Sequence, residues 1–113
     1  MDVEILLEAQ EEFDDLPDDE REAMDRAFDK LEQLGDRLPA PHSSLVQGSG
    51  GLRELRPRQG RSVWRAFYRR IGPVLVIGAI GPEAQQDRAG FRRAVRLAEE
   101  RLDRRETGRR RVE

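Results

Sequence analysis

Residues 50–81 read GGLRELRPRQGRSVWRAFYRRIGPVLVIGAIG. This stretch holds three short runs rich in Leu, Val, Ile and aromatic residues, which Gly and Pro residues separate: 52–56, 62–70 and 74–80. Apolar runs bounded in this way at hairpin distances predict a three-stranded antiparallel meander. The third run is apolar throughout, which is typical of a strand that is covered on both faces. We therefore expect residues 74–80 to form the centre of the sheet.

The second run divides into two sets of side chains, because a strand places successive side chains on opposite faces. Trp64, Ala66 and Tyr68 share one face, which we expect to point into the core. Arg65 and Phe67 lie on the other face, which is mixed in character. The predicted sheet therefore has a buried centre and a basic rim.

The segments outside the meander predict one more strand and three helices. Residues 3–7 form a short apolar run that suits a first strand joining the sheet. Apolar residues at helical spacing then end at Leu16, and a second helical segment begins at Pro17 and stops at Gly35, a suitable C-terminal cap. After the meander the same spacing predicts a last helix, whose apolar stripe is Phe91, Ala94, Val95, Ala98 and Leu102.

Two segments predict irregular structure. Residues 36–51 are rich in Pro, Ser and Gly and indicate a long surface loop, whereas residues 106–113 carry a basic triplet and indicate a disordered basic tail. The predicted fold class is α+β, with a single domain over residues 1–105. Its small antiparallel sheet comprises the N-terminal strand and the meander, and is packed by an N-terminal helical hairpin and a C-terminal helix.

Composition excludes several classes of site. A chain of 113 residues suffices for one hydrophobic core. It has no cysteine and a single histidine, His42, so disulfides, thiolate metal sites and histidine clusters are excluded. The longest apolar run, 74–80, is too short to span a bilayer, and no segment resembles a signal peptide. We therefore expect a cytoplasmic location.

The net charge of −2 hides a division along the chain. Residues 1–36 carry 15 acidic and 3 basic side chains, which sum to −12, whereas residues 37–113 carry 8 acidic and 18 basic ones, which sum to +10. A basic half of this density suits a phosphate backbone or an acidic protein partner, and we expect the acidic half to face elsewhere. The alternative interpretation is that the high charge of each half only keeps the protein soluble.

The motif GLRELRP, followed by WRAFYRR and an apolar strand, resembles the RelE/ParE superfamily of bacterial toxins. The similarity extends over residues 3–105 and is greatest to the HigB-type branch, which includes phage-derived toxin-like proteins. The resemblance implies the toxin of a type II toxin–antitoxin system, acting as a ribosome-dependent mRNA endoribonuclease (mRNA interferase) through attack of a 2′-hydroxyl on the adjacent phosphate. It implies no cofactor or metal, and its partners are mRNA, the ribosome and a cognate antitoxin, expected to be of the helix-turn-helix type.

The resemblance also indicates which residues would form the catalytic site. Arg65 matches the strand arginine that contacts the scissile phosphate in the family, and a planar guanidinium suits that role because it can hold two phosphate oxygens. Arg56 is the second candidate, and Glu54 could orient either arginine; a cross-strand ion pair that fixes register is the alternative for Glu54 and Arg56. Five further arginines are expected to bind RNA: Arg53, Arg58, Arg61, Arg69 and Arg70.

The chain departs from the family pattern after the third strand of the meander. Many relatives carry a basic run there and some have a tyrosine or histidine near the start of the last helix, whereas this chain has Glu83, Gln85 and Phe91. Glu83 or Asp87 could replace the missing group as a general base. Whether the chain is an enzyme stays open, and two alternatives remain: a ParE-like inhibitor of a DNA topoisomerase, and a catalytically inactive module that binds RNA or an antitoxin.

Overall fold

The computed structural model describes the backbone of residues 1–112 and the side chains of residues 1–108. Five strands and three α-helices follow one another in the order β1, α1, α2, β2, β3, β4, β5, α3. Their bounds are β1 Asp2–Ile5, α1 Leu7–Asp14, α2 Asp18–Leu34, β2 Ser43–Leu45, β3 Arg53–Leu55, β4 Trp64–Ile71, β5 Val74–Pro82 and α3 Arg88–Val112. Short 3₁₀ turns cover Gly35–Arg37 and Pro57–Gly60. No helix in the described part of the chain is long and apolar enough to cross a membrane.

The strands form one sheet in the order β1-β5-β4-β3-β2. The α+β class and the antiparallel meander β3-β4-β5 are confirmed. Two details of the prediction are wrong: β1 pairs with β5 in parallel, so the sheet is mixed, and the middle strand is β4 rather than β5. The order changes because an additional strand, β2, extends the sheet beyond β3.

Strand β2 lies within the segment that the sequence indicated as a loop. It pairs antiparallel with β3, so that Ser43 lies opposite Leu55. Ser43 is 1% exposed, and its hydroxyl shares a hydrogen bond with the Tyr68 hydroxyl, while Arg53 Nε donates to the same Ser43 oxygen at 3.0 Å. The serine-rich sequence lacks an apolar alternation, so the strand depends on its pairing with β3 and on the buried Ser43 contact.

Helices cover both faces of the sheet. Leucine, methionine and phenylalanine side chains of α1 and α2 pack with Ala66 and Tyr68 of β4 on one face. On the other face, Ala94, Ala98 and Leu102 of α3 pack over Phe67. The helical hairpin and the apolar stripe of α3 are therefore confirmed, and Phe67 turns the mixed face of β4 into a second core.

Helix α2 ends where the sequence indicated, whereas α1 ends at Asp14, two residues before the indicated Leu16. Helix α2 follows Pro17 and stops at Gly35, which has φ of +56°, a conformation that glycine adopts without steric cost. Helix α3, by contrast, continues through residue 105 to Val112, so the predicted domain boundary does not coincide with the end of an element. The side chains from residue 109 onward, and the last residue of the predicted tail, lie outside the described residues.

Beyond β1, a side-chain ion pair covers the edge of β5. Arg101 Nη1 donates to the Gly78 carbonyl oxygen at 3.1 Å, and Glu12 Oε1 accepts from the Ile80 amide at 3.0 Å. The two side chains also bind each other, with Arg101 Nη1 and Glu12 Oε1 at 3.0 Å. Together they satisfy backbone groups that a longer β1 would have paired.

Two glycines let α3 lie close against β5. A Cβ atom at Gly78 would lie 2.8 Å from Leu102 Cγ, and one at Gly81 would collide with the Cβ of Ala94. Gly81 lies opposite Arg65 in the β4–β5 register. The close approach of α3 therefore fixes the turn 83–87 next to the end of β4 that carries Arg65.

Candidate functional site

The three residues predicted to be catalytic, Glu54, Arg56 and Arg65, meet in one cluster at the ends of β3 and β4. Glu54 Oε1 accepts hydrogen bonds from Arg65 Nε at 3.1 Å and from Arg56 Nε at 3.2 Å. The Glu54 side chain is 11% exposed. A single buried carboxylate oxygen therefore holds two guanidinium groups side by side.

Arg65 lies inside the protein and not on its surface. Its side chain is 6% exposed, and its Nη atoms donate to the carbonyl oxygens of Ser62 at 2.6 Å, Trp64 at 3.0 Å and Gly60 at 3.3 Å. Burial lowers the pKa of the Arg65 guanidinium because it penalises the charged form, and the nearby Glu54 carboxylate opposes this effect. A phosphate could reach this guanidinium only if the segment 57–62 moved away.

The segment 57–62 is held from its outer side by Glu20 of α2. Glu20 Oε2 accepts from Arg58 Nη1 at 2.9 Å, and Glu20 Oε1 accepts from the Ser62 hydroxyl at 2.7 Å. Arg58 and Gln59 have φ values of +56° and +59°, which non-glycine residues adopt rarely. These contacts fix the segment between α2 and Arg65, so Arg65 anchors local structure.

Arg56 is the arginine of the cluster that reaches solvent. Its side chain is 35% exposed, and beyond the Nε contact to Glu54 its Nη atoms have no hydrogen-bond partner among residues 1–108. Its backbone amide donates to the His42 carbonyl oxygen at 2.8 Å, which fixes the main chain at this point. Arg56 therefore presents free donors from a held position.

Arg56 also lines a cavity of about 150 Å³ between α2, the end of β3 and the turn Pro57–Gly60. No carboxylate lines this cavity. Its apolar lining comes from Ala23, Ala27, Leu38, Leu55 and Pro57. Its basic and imidazole lining comes from Arg26, Lys30, His42, Arg56, Arg58 and Arg61.

The sequence interpretation missed Arg26 and Lys30 as site residues, and it treated His42 as a loop residue. Arg26 and Lys30 belong to α2, which is rich in acidic residues. The sequence indicated that the acidic outer face of this helix is solvated surface. Their spacing of four residues puts them on one side of α2, a signal available from the sequence. What the spacing does not reveal is that this side faces Arg56 and Arg61.

The arginines predicted to bind RNA are not brought together. Arg58 is paired with Glu20, Arg69 with Asp103 at 2.8 Å, and Arg70 with Asp36 at 2.6 Å. Arg53 binds the Ser43 hydroxyl near the β2 edge. Arg61 is exposed and donates from Nε to the Arg58 carbonyl oxygen at 3.1 Å, with no carboxylate partner in the described structure. Of the five arginines predicted to bind RNA, only Arg58 and Arg61 line the cavity.

The residues that follow β5 have local structural partners. Asp87 Oδ1 accepts from the Gly90 amide at 2.9 Å and so caps the start of α3. Glu83 Oε2 accepts from the Gln85 amide at 3.2 Å, and its charge acts on the Arg65 guanidinium. Phe91 packs edge-on against Phe67, with ring centroids 5.5 Å apart. Phe91 therefore belongs to the core and carries no proton to transfer.

A family model and a solved structure match this chain, and both matches agree with its architecture. The family described as phage-derived Gp49-like protein matches residues 11–71, which is more than half of the chain and includes β2, β3 and β4. A solved structure of the Escherichia coli toxin RelE, a double arginine-to-alanine mutant in the free state, superposes with a TM-score of 0.59. The two chains are 15% identical, and the match covers 84% of this chain and 94% of that chain. The comparison with curated proteins found no match.

The chain therefore has the fold of the RelE structure. It belongs to the family of phage-derived Gp49-like proteins.

Proposed function

We propose that the protein is the toxin of a type II toxin–antitoxin system and cleaves mRNA on the ribosome. The observation that carries the proposal is the placement of Arg56, whose Nη atoms are free while Glu54 holds its Nε. A guanidinium in this state can bind two oxygens of a phosphate. The cations of the adjacent cavity would extend this positive surface along the RNA.

The reaction would proceed by attack of the ribose 2′-oxygen on the adjacent phosphorus. The P–O5′ bond breaks, leaving a 2′,3′-cyclic phosphate and a 5′-hydroxyl, and the proton leaves the 2′-hydroxyl and reaches the departing 5′-oxygen. Arg56 would stabilise the charge that develops on the phosphate, and Glu54 would hold Arg56 in position. Arg65 is a positioning residue in this proposal, because it fixes Glu54 and the segment 57–62.

Phe91 cannot transfer the proton, because its side chain has no titratable group. Glu83 and groups of the ribosome or the substrate are the remaining sources in the proposal. The partner would be a helix-turn-helix antitoxin that covers the basic surface around Arg56, and both proteins would act in the cytoplasm. An acidic segment would suit that surface.

The test is primer-extension mapping of a reporter mRNA after induction of the wild type, Arg56→Ala and Arg92→Ala, with growth followed in parallel. Arg92 is an exposed arginine of α3 without an ion pair to any described residue, and serves as the matched control. We expect discrete in-frame cuts with the wild type and with Arg92→Ala. Cleavage should fall by about 100-fold or more with Arg56→Ala, the usual cost of removing one charge-stabilising donor.

Other outcomes would favour the two alternatives. Growth arrest without cuts, together with a change in plasmid supercoiling, would support inhibition of a DNA topoisomerase. A folded wild-type chain that neither cuts mRNA nor slows growth would support a binding module without catalysis. Cuts that persist unchanged in Arg56→Ala would remove Arg56 from the site.

A further inference from the structure

The cavity between α2, the end of β3 and the turn Pro57–Gly60 combines two kinds of lining that one ligand could use together. Its floor is apolar, from alanine, leucine and proline side chains, whereas its rim is cationic. A purely structural gap in a core would lack the charges, and a simple basic surface would lack the floor. The ligand that fits both has a flat apolar part and an anionic part.

The cations converge on the cavity from separate elements. Arg26 and Lys30 come from α2, Arg56 follows β3, and Arg61 follows the 3₁₀ turn Pro57–Gly60. None of these four pairs with a carboxylate in the described structure except Arg56, whose Nη atoms stay free. Arg58, by contrast, is neutralised by Glu20. Four positive groups around one opening raise the local concentration of anions.

Arg26 and Lys30 are notable because α2 is otherwise acidic. The third basic residue of this helix, Arg21, is paired with Asp18 at 2.8 Å, whereas no ion pair joins Arg26 or Lys30 to another described residue. Like charges four residues apart destabilise an isolated helix. An anion bound at the cavity would reverse that cost.

The size of the cavity limits its occupant. Its volume of about 150 Å³ is below the range of about 300–1,000 Å³ that suits drug-sized ligands. An engineered cavity of about the same volume binds benzene, which is one six-membered ring. The cavity therefore has room for a single ring on its floor, with an attached phosphate at the rim.

We propose that this cavity is a nucleotide-binding site that takes one unpaired pyrimidine nucleotide of RNA, with its base against Leu38 and Leu55 and its phosphate among Arg26, Lys30 and Arg61. The proposal rests on the proposed function in its choice of RNA as the ligand. Arg56 would lie between this nucleotide and the phosphate that is cleaved. The cavity would thus hold the base beside the scissile bond and contribute to sequence preference.

The test measures binding of uridine monophosphate to the purified full chain by calorimetry and by ¹⁵N-amide shifts. Binding of uridine and of inorganic phosphate is measured separately. Binding of adenosine monophosphate tests whether the cavity excludes a two-ring base. We expect saturable uridine monophosphate binding, tighter than that of uridine, phosphate or adenosine monophosphate, with shifts at residues of the cavity. The double variant Arg26→Ala/Lys30→Ala should weaken this binding at least tenfold.

A matched control removes the same charge from another helix. Arg92→Ala/Arg96→Ala deletes two exposed arginines, also four residues apart, on α3 away from the cavity, and should bind uridine monophosphate like the wild type. Both double variants replace exposed side chains, and thermal unfolding verifies that each is folded. Equal binding by Arg26→Ala/Lys30→Ala and the wild type, or uridine monophosphate no tighter than phosphate alone, would overturn the proposal.

The same variants separate this proposal from the proposed function. mRNA cuts without uridine monophosphate binding would overturn the nucleotide site and leave the nuclease intact. Binding at the cavity without mRNA cuts would support the site and count against the nuclease.

Discussion

At the scale of single residues, Arg56 and Arg65 share one hydrogen-bond partner but differ in burial. Both donate from Nε to Glu54 Oε1. Arg65 is 6% exposed and directs its Nη atoms to backbone carbonyls, whereas Arg56 is 35% exposed, lines the cavity and has no partner for its Nη atoms among the described residues. The buried arginine therefore supports structure, and the exposed one has free donors for a ligand.

This difference predicts unequal effects on stability. Arg65→Ala should lower the free energy of unfolding by about 3–5 kcal/mol, because it breaks a buried ion pair and leaves its partners underpaired. Arg56→Ala should cost about 1 kcal/mol or less, because the pair it removes is partly exposed and Glu54 keeps Arg65. Urea denaturation of both variants measures the difference. Equal losses would contradict the assignment of Arg65 to a structural role.

At the scale of elements, the placement of α3 on β5 determines the surroundings of the cluster. The helix approaches closely where the strand has Gly78 and Gly81, and Gly81 is the register partner of Arg65. The turn 83–87 and Phe91 are therefore carried to the end of β4. The position at which the resemblance implied a proton-transfer group is here a core aromatic residue, because Phe91 packs on Phe67.

Gly81→Ala should destabilise the protein by about 1–3 kcal/mol, because the added methyl group collides with Ala94. Ala94→Gly alone should cost about 1 kcal/mol through helix propensity. In the double variant Ala94→Gly makes room for the new methyl group, so the combined loss should be smaller than the sum. Thermal or urea unfolding of the four proteins measures this coupling.

Gly50→Ala is the control for the Gly81 substitution, since no atom lies within 4 Å of the added Cβ at that position. It should leave the free energy of unfolding nearly unchanged. Additive effects of Gly81→Ala and Ala94→Gly would show that α3 does not depend on this contact.

At the scale of the whole molecule, the acidic and basic halves of the chain fold against each other. Arg105 pairs with Glu4 at 2.7 Å, and Arg101 pairs with Glu12. Arg70 likewise pairs with Asp36. In these pairs, carboxylates of the acidic half lie directly against arginines of the basic half. Much of the basic charge is therefore neutralised internally, and the count of arginines overstates the surface available to RNA.

We predict that arginines without a carboxylate partner dominate RNA binding. Arg61→Ala should reduce the salt dependence of binding to a single-stranded oligoribonucleotide by about 0.7 in the slope of log K against log salt concentration. Arg70→Ala should leave that slope unchanged, because Asp36 already neutralises Arg70. Fluorescence anisotropy at several salt concentrations measures both. Identical slopes for the two variants would contradict the prediction.

The local sequence determined most elements of the fold. Pro17 and Gly35 delimit α2, and the apolar stripe beginning at Phe91 specifies α3, because caps and helical spacing act over a few residues. The three runs between residues 50 and 81 likewise specify β3, β4 and β5 through their own turns. The α+β class follows from these elements together.

Only the tertiary structure decided strand order, the role of Ser43 and the exposure of each arginine. Strand β2 pairs with β3, and a buried hydroxyl pair joins Ser43 to Tyr68; both contacts are between residues distant in sequence. Sequence could place Glu54, Arg56 and Arg65 together, since they flank one hairpin, but not say which guanidinium stays accessible. Accessibility depends on the segment 57–62 and on α2, which bury Arg65 and leave Arg56 beside Arg26 and Lys30.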